Sequence, residues 1–390
     1  MEGTRFIESI RLDNVLSYGP NSEPFPLGPL NVLIGPNVSG KSNMIEVLSL
    51  LQAAPRDLQE PIRAGGGVRE WLWKGTDPSP TATVEATVKF PSGPLVYRLS
   101  FTEVGLRFEL RDEAVESKNQ RSQIPFYYRY QEGRPVLRAR GDGQLQQLKR
   151  EDLRPDQSIL SQRRDPDSYP QLTYLATRFD SMHFYREWRM DRHSPARLPQ
   201  RPDLYQGALL EDASNLGLVL SDLLNRPPVK EQILERMRDF HPTFVDVTTT
   251  VIGGTVQIFF HEKGLVHAVP ATRLSDGSLR YLCLLTVLCH PNPPPVICIE
   301  EPEIGLHPDI IPDVAKLLVE ASVQSQIFVT THSDILVDAL TDTPEAIIVC
   351  EKTDGATQLQ RLDPERLAHW LEKYRLGELW SRGQLGGNRW

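Results

Sequence analysis

Residues 35–42 read GPNVSGKS, the spacing G-x-x-x-x-G-K-[ST] that wraps backbone around a triphosphate. An apolar stretch, LNVLI, precedes it and an amphipathic run, NMIEVLSLLQ, comes after, so the loop is predicted to join a strand to a helix. The predicted nucleotide-binding segment comprises Gly35, Pro36, Asn37, Val38, Ser39, Gly40, Lys41, Ser42 and Asn43. Loop and helix-start N–H groups then face phosphate oxygens, with the helix dipole adding attraction. Lys41 is expected to reach the β- and γ-phosphates and Ser42 to ligate Mg²⁺. Further along, VICIEEPEIGLHP places Glu300 and Glu301 where an apolar strand ends. Adjacent carboxylates repel unless a cation or ordered water lies between them. Glu300 is therefore assigned to the metal side, and Glu301 to orienting or deprotonating a water. A third strand end, IFVTTHSD, carries His332, placed to hydrogen-bond a γ-phosphate or the attacking water, with Ser333 or Asp334 capping the next helix. The fourth segment is LSDGSLRYL at residues 274–282, where Ser275, Asp276 and Gly277 open a helix that at once turns apolar. Such a cap offers N–H groups and a hydroxyl to an anion.

The elements that must position these residues emerge from pattern. Segments 5–16 and 30–34 read as strands entering a core; 81–90, 95–101 and 105–110 nearly alternate and suggest a small antiparallel sheet. From about residue 111 the texture becomes polar and rich in Arg and Gln. Residues 121–201 hold sixteen Lys/Arg against ten Asp/Glu, a local excess of six positive charges; a polyanion-binding face and a solvated insertion both account for it. Helical signals return at 207–224 and 229–240, then strand, turn and strand over 244–264. Strands at 296–300, 326–331 and 346–352 alternate with helices at 309–322 and 334–340, which implies a parallel α/β sheet with the site at the strand carboxyl ends.

Composition bounds the rest. The chain has 390 residues, 39% of them hydrophobic, and a net charge of −8, which argues against a wholly nucleic-acid-coated protein. Cys283, Cys289, Cys298 and Cys350 all sit in apolar surroundings without a C-x-x-C pair, so they read as reduced core thiols. No signal-like run opens the chain, and the richest apolar stretch, YLCLLTVLC, is too short to span a bilayer; a cytoplasmic protein with no membrane contact is expected. No heptad or solenoid repeat appears, and there is no zinc finger or aromatic RNA-binding pair.

The order of GPNVSGKSN, LSDGSLRYL, VICIEEPEIGLHP and TTHSD resembles that of ABC-type ATPase heads. More narrowly the chain is similar to RecF/SMC/Rad50-related AAA-family ATPases, and among these to the compact set found in OLD-family nucleases and phage-defence systems. The resemblance covers about residues 1–110 and 245–390. It implies an α/β P-loop ATPase head with an antiparallel subsheet and an inserted mainly helical lobe, divided into an N-terminal lobe (1–110), a variable lobe (111–245) and a C-terminal lobe (246–390). It also implies ATP and Mg²⁺ as cofactors and a homodimer whose composite sites pair each phosphate loop with the partner's Ser275–Gly277. Leu306 and His307 then fall in the segment through which such dimers communicate. DNA maintenance or antiviral defence is the implied setting, with DNA and a separate TOPRIM-like or other effector as partners; the ending YRLGELWSRGQLGG resembles members accompanied by such a protein. Three residues depart from the common pattern: Val38 replaces a loop glycine, Glu300 an aspartate, and Asp276 the first signature glycine. The magnesium-sensing Gln of the family has no secure counterpart among Gln123, Gln131 and Gln157; Arg11 and Arg280 suit either the site or an ordinary surface. Two other readings stay open, a nucleotide-dependent scaffold with little turnover and the ATPase subunit of a transporter.

Overall fold

The computed structural model describes all residues except 77–79, 120–124, 132–133, 139–144, 148–152, 155 and 387–390. Strands are numbered in chain order. An antiparallel sheet collects eight of them: β1 (Ile7–Asp13), β2 (Phe25–Pro26), β4 (Ala82–Val88), β5 (Leu95–Val104), β6 (Arg107–Ser117), β7 (Phe126–Gln131), β8 (Arg134–Arg138) and β9 (Leu145–Gln147), ordered β2-β1-β4-β5-β6-β7-β8-β9. The expected strands over 81–110 are thus present, and the sheet continues well past residue 110 before helices begin.

The central sheet is built from β3 (Leu30–Ile34), β10 (His183–Tyr185), β14 (Val296–Glu300), β15 (Gln326–Thr330), β16 (Ile347–Thr353) and β17 (Ala356–Arg361), ordered β10-β14-β15-β3-β16-β17. All its pairings are parallel except the β16–β17 hairpin. A third, three-stranded sheet contains β11 (Phe244–Ile252), β12 (Thr255–Glu262) and β13 (Val269–Pro270). Helices Leu216–Leu224 and Pro227–Phe240 lie in the region between the phosphate loop and the signature segment.

Burial on both faces explains why the central strands read as continuous apolar runs. All five residues of β3 are buried. Its alternate side chains enter two cores. Leu30, Val32 and Ile34 join helices Asp276–Leu288 and Ile311–Ala321 on one side; Leu33 joins Met44, Val47, Leu48 and Leu51 of helix Lys41–Ala53 on the other. Each fully buried Leu or Val contributes roughly 1.5–3 kcal/mol relative to exposure. The exception, Asn31, is satisfied: it donates to the Gly28 carbonyl at 2.8 Å and accepts from Gly28 N–H at 2.9 Å and Arg361 at 2.7 Å.

One buried carboxylate ties the antiparallel sheet to the short helix Ile159–Gln162. Glu113 on β6 accepts from the Tyr97 hydroxyl (2.8 Å), from the Ser158 hydroxyl and from the backbone N–H of Ile159 (2.9 Å). Burial pushes its pKa up to about 7. All four cysteines are buried free thiols, as expected, and burial raises each pKa, to about 12 for Cys283, Cys289 and Cys350. Among the described residues no helix is long and apolar enough to cross a membrane.

Candidate functional site

Three neighbouring parallel strands, β14, β15 and β3, end side by side. Backbone bonds continue beyond their last residues: Glu301 N–H donates to Thr330 at 2.9 Å, and Thr331 N–H to Leu33 at 3.2 Å. The phosphate loop after β3, the two glutamates after β14 and His332 after β15 therefore converge at one sheet edge.

The loop is held in an open curve by its glycines. Gly35 lies at φ +145°, and a Cβ there meets the Cys350 carbonyl at 2.2 Å; Gly40 lies at φ +99°, where a Cβ meets Thr357 Oγ1 at 2.3 Å. Only glycine fits either position. Val38 stands at φ +67° and is 80% exposed. A β-branched residue in the left-handed region is strained, so valine costs more here than the glycine it replaces. Lys41 is buried and its Nζ donates to the carbonyls of Gly35 (2.8 Å) and Pro36 (2.9 Å), spanning the loop as it would span phosphates. Burial lowers its pKa, opposed by Cys350 and Glu301.

The back of the loop rests on residues that the sequence pattern did not single out. Tyr18 donates to the Gly40 carbonyl at 3.1 Å and Thr357 to the Ser39 carbonyl at 2.8 Å. Asn43 donates to Ser17 at 2.7 Å. Thr357 belongs to β17, more than 300 positions from the loop, and no local signal marks it.

Glu300 hydrogen-bonds Ser42, and Arg186 lies 3.7 Å from its Oε1. Burial raises the Glu300 pKa, while Arg186 and the Ser42 bond hold it down. Among the described residues no group of three or more His, Cys, Asp or Glu forms a metal cage. Mg²⁺ does not require one, since it binds through one or two protein oxygens with water and phosphate supplying the others. The Ser42 hydroxyl beside the Glu300 carboxylate fits that donor set.

Glu301 leaves its strand at φ +46° and its carboxylate lies 3.7 Å from His332 Nε2. Both side chains are about one-third exposed, so they are reachable from solvent. Glu303, two residues on, braces the switch segment: its Oε1 accepts from the Thr331 hydroxyl at 2.6 Å and from His332 N–H at 3.0 Å. Burial raises its pKa. Thr331 then accepts from Ser333 N–H, and Ser333 caps helix Asp334–Ala339.

Arg186 stands at the end of β10, the strand beside β14. It also faces Glu46 and Glu211, whose burial-raised pKa values it opposes. Among the described residues, the glutamine considered from sequence, Gln157, does not occupy this place. Gln157 accepts from Leu58 N–H and donates to Asp57; Gln123 and the side chain of Gln131 lie outside the described residues. Arg11 pairs with Asp13 and Glu85 on the antiparallel sheet. A three-residue strand in polar sequence left β10, and with it Arg186, without a readable pattern.

Ser275 caps helix Asp276–Leu288 as expected, accepting from Ser278 N–H at 3.1 Å. The cap is exposed, yet among the described residues no hydrogen bond or ion pair joins Ser275–Gly277 to residues 35–43. It packs instead on its own chain's turn at Gly305, where a Cβ on Gly277 meets the Gly305 carbonyl at 2.9 Å. Arg280 turns inward, donating to the Trp188 carbonyl at 2.8 Å. Leu306 packs on the core, while Ile304 and His307 are exposed.

The family described as "AAA domain, putative AbiEii toxin, Type IV TA system" matches residues 30–338, more than half of the chain. The chain belongs to this family. Its range runs from the first residue of β3 to beyond His332, so it encloses every strand end described above. No curated protein matches the sequence. The solved structures similar to this AAA-domain chain include an SMC head bound to the C-terminal winged-helix domain of ScpA, at 15% identity and TM-score 0.59, over 93% of this chain and 99% of that one. An SMC head with an extended coiled coil, bound to the C-terminal domain of ScpA and derived from Pyrococcus furiosus, is 13% identical with TM-score 0.56, over 94% and 99%. A third SMC head, from Pyrococcus yayanosii, is 13% identical with TM-score 0.51 over the same shares. The fold is thus that of an ABC-type ATPase head of the SMC kind.

Proposed function

We propose that this chain is a Mg²⁺-dependent ATPase of the RecF/SMC/Rad50-related branch that works as a head-to-head dimer switch. The observation that carries the reading is the split between two half-sites. Lys41, Ser42, Glu300, Glu301 and His332 gather at one sheet edge, whereas the exposed Ser275 cap bonds to none of the loop residues. A second copy supplies what each half lacks.

Lys41 leaves the loop carbonyls for the β- and γ-phosphates, and the loop N–H groups take the remaining oxygens. Ser42 and Glu300 would hold Mg²⁺, which would supply charge neutralisation of the phosphates. Glu301 orients the attacking water and accepts its proton, and His332 hydrogen-bonds the γ-phosphate side of that water. The partner's Ser275 and first-turn N–H groups add donors at the γ-phosphate, so dimer closure and phosphate state are linked. Residues 1–110, 111–245 and 246–390 act as loop lobe, variable lobe and signature lobe.

The setting we propose is DNA maintenance or antiviral defence in the cytoplasm, through a separate TOPRIM-like or other effector. The family's description as a toxin component favours defence, and SMC heads that bind ScpA offer a precedent for a separate partner protein. Kinship with compact OLD-family and phage-defence ATPases rests on the four motifs.

The deciding experiment compares wild type with Glu301→Gln for ATP turnover and ATP-dependent association, with and without DNA. Turnover is expected to fall on the order of 100-fold or more while the ATP-bound dimer persists longer. Unchanged turnover together with an unchanged dimer lifetime rejects the assignment.

A further inference from the structure

Asp276 stands at the first helical position of the segment that the dimer reading aims at a triphosphate, and its side chain is 70% exposed. An unpaired carboxylate there suits its own helix dipole but repels the phosphate that the cap is to receive. The structure shows what removes that conflict. Arg197, only 5% exposed, reaches the turn from a segment some eighty positions upstream and pairs with Asp276 Oδ1. The same guanidinium donates to the carbonyls of Met190 (3.0 Å), Ala271 (3.2 Å) and Leu274 (2.5 Å). One planar fork thus fixes the backbone leading into Ser275 and cancels the adjacent charge, a geometry lysine cannot reproduce.

Resting on the composite-site reading above, we propose that Arg197 is a positioning residue for the nucleotide site of the partner copy. It touches no nucleotide. It neutralises Asp276 and holds the turn so that the Ser275 hydroxyl and the first-turn N–H groups face an incoming γ-phosphate. Its effect is on closure of the dimer and not on nucleotide binding by the single chain, because the chain's own loop is supported by Tyr18, Ser17 and Thr357.

The test uses the full chain with Mg²⁺ and a non-hydrolysable ATP analogue, reading dimer formation by sedimentation and analogue affinity under conditions where the chain is monomeric. Arg197→Met is expected to weaken the dimer tenfold or more and to leave monomer affinity within about twofold. Adding Asp276→Asn to Arg197→Met restores part of the dimer, because the repelling charge is gone while the carbonyl bonds that hold the turn are still missing. A double variant as weak as Arg197→Met alone overturns the neutralising role, and an Arg197→Met dimer as tight as wild type overturns the proposal as a whole. Asp276→Asn alone keeps the Arg197 carbonyl bonds and therefore the fold; it is expected to dimerise at least as tightly as wild type, and a weaker dimer overturns the neutralising role. Failure of wild type to dimerise with the analogue defeats the composite-site reading itself, and this inference with it.

Discussion

Lys41 and Glu300 show how single residues are tuned by where they sit. Lys41 is desolvated and satisfied by two loop carbonyls, so in the proposed site it is preorganised to exchange them for phosphate oxygens. Lys41→Ala is expected to abolish detectable ATP binding at micromolar concentrations, measured by calorimetry, while leaving the thermal melt nearly unchanged. A carboxylate holds a metal only when deprotonated, and burial raises the pKa of Glu300, the proposed metal-side group. The acid limb of turnover is therefore expected at higher pH than an ordinary glutamate gives. Arg186 opposes the rise, so Arg186→Gln is expected to move that limb to still higher pH. A pH profile of turnover under saturating ATP checks both statements, and an unmoved limb in Arg186→Gln disconnects Arg186 from the metal side. The 3.7 Å approach of His332 to Glu301 favours turnover over the scaffold reading.

At the scale of elements, the phosphate loop depends on a hairpin far away in sequence. Gly35 has the Cys350 carbonyl of β16 where a Cβ would sit, and Gly40 has Thr357 of β17. Gly35→Ala is expected to lower the melting temperature and to abolish ATP binding together, since the loop cannot close without displacing β16. Thr357→Val keeps the shape but leaves the buried Ser39 carbonyl without its donor, a cost of about 1–3 kcal/mol. If that cost falls on the loop conformation that binds ATP, affinity drops by roughly ten- to a hundredfold; a variant that binds normally places the loss elsewhere. Strand and helix patterns around the four motifs were legible because each lies in a long periodic or fully apolar run. The β10 strand was not, since three residues carry no period, and the sheet strands beyond residue 110 were masked by alternating charges that pair across the sheet, such as Arg98 with Asp112 and Glu116.

For the molecule as a whole, stability carries a pH signature from Glu113. Its folded pKa of about 7 lies above the ordinary 4.5, so the native state holds an extra proton between those values. Stability contributed by the protonated form is full below the unfolded pKa and is lost as pH rises towards 7, by up to roughly 3 kcal/mol. Glu113→Gln removes the charge, so its melting temperature relative to wild type is expected to rise between pH 5 and pH 8. A constant difference across that range contradicts the buried-charge account.

The sequence by itself determined the P-loop ATPase class, the four motifs and their order, because each combines residue chemistry with a local period or a short fixed spacing. Its identification of Ser275 as a helix cap also needed nothing beyond local pattern. Only the tertiary structure decided which distant groups hold these motifs in place: Thr357 behind the loop, Glu303 under His332, Arg186 beside Glu300 and Arg197 against Asp276. These partners are separated along the chain by up to several hundred positions, and a hydrogen bond or ion pair leaves no spacing rule when folding, not sequence, sets the distance.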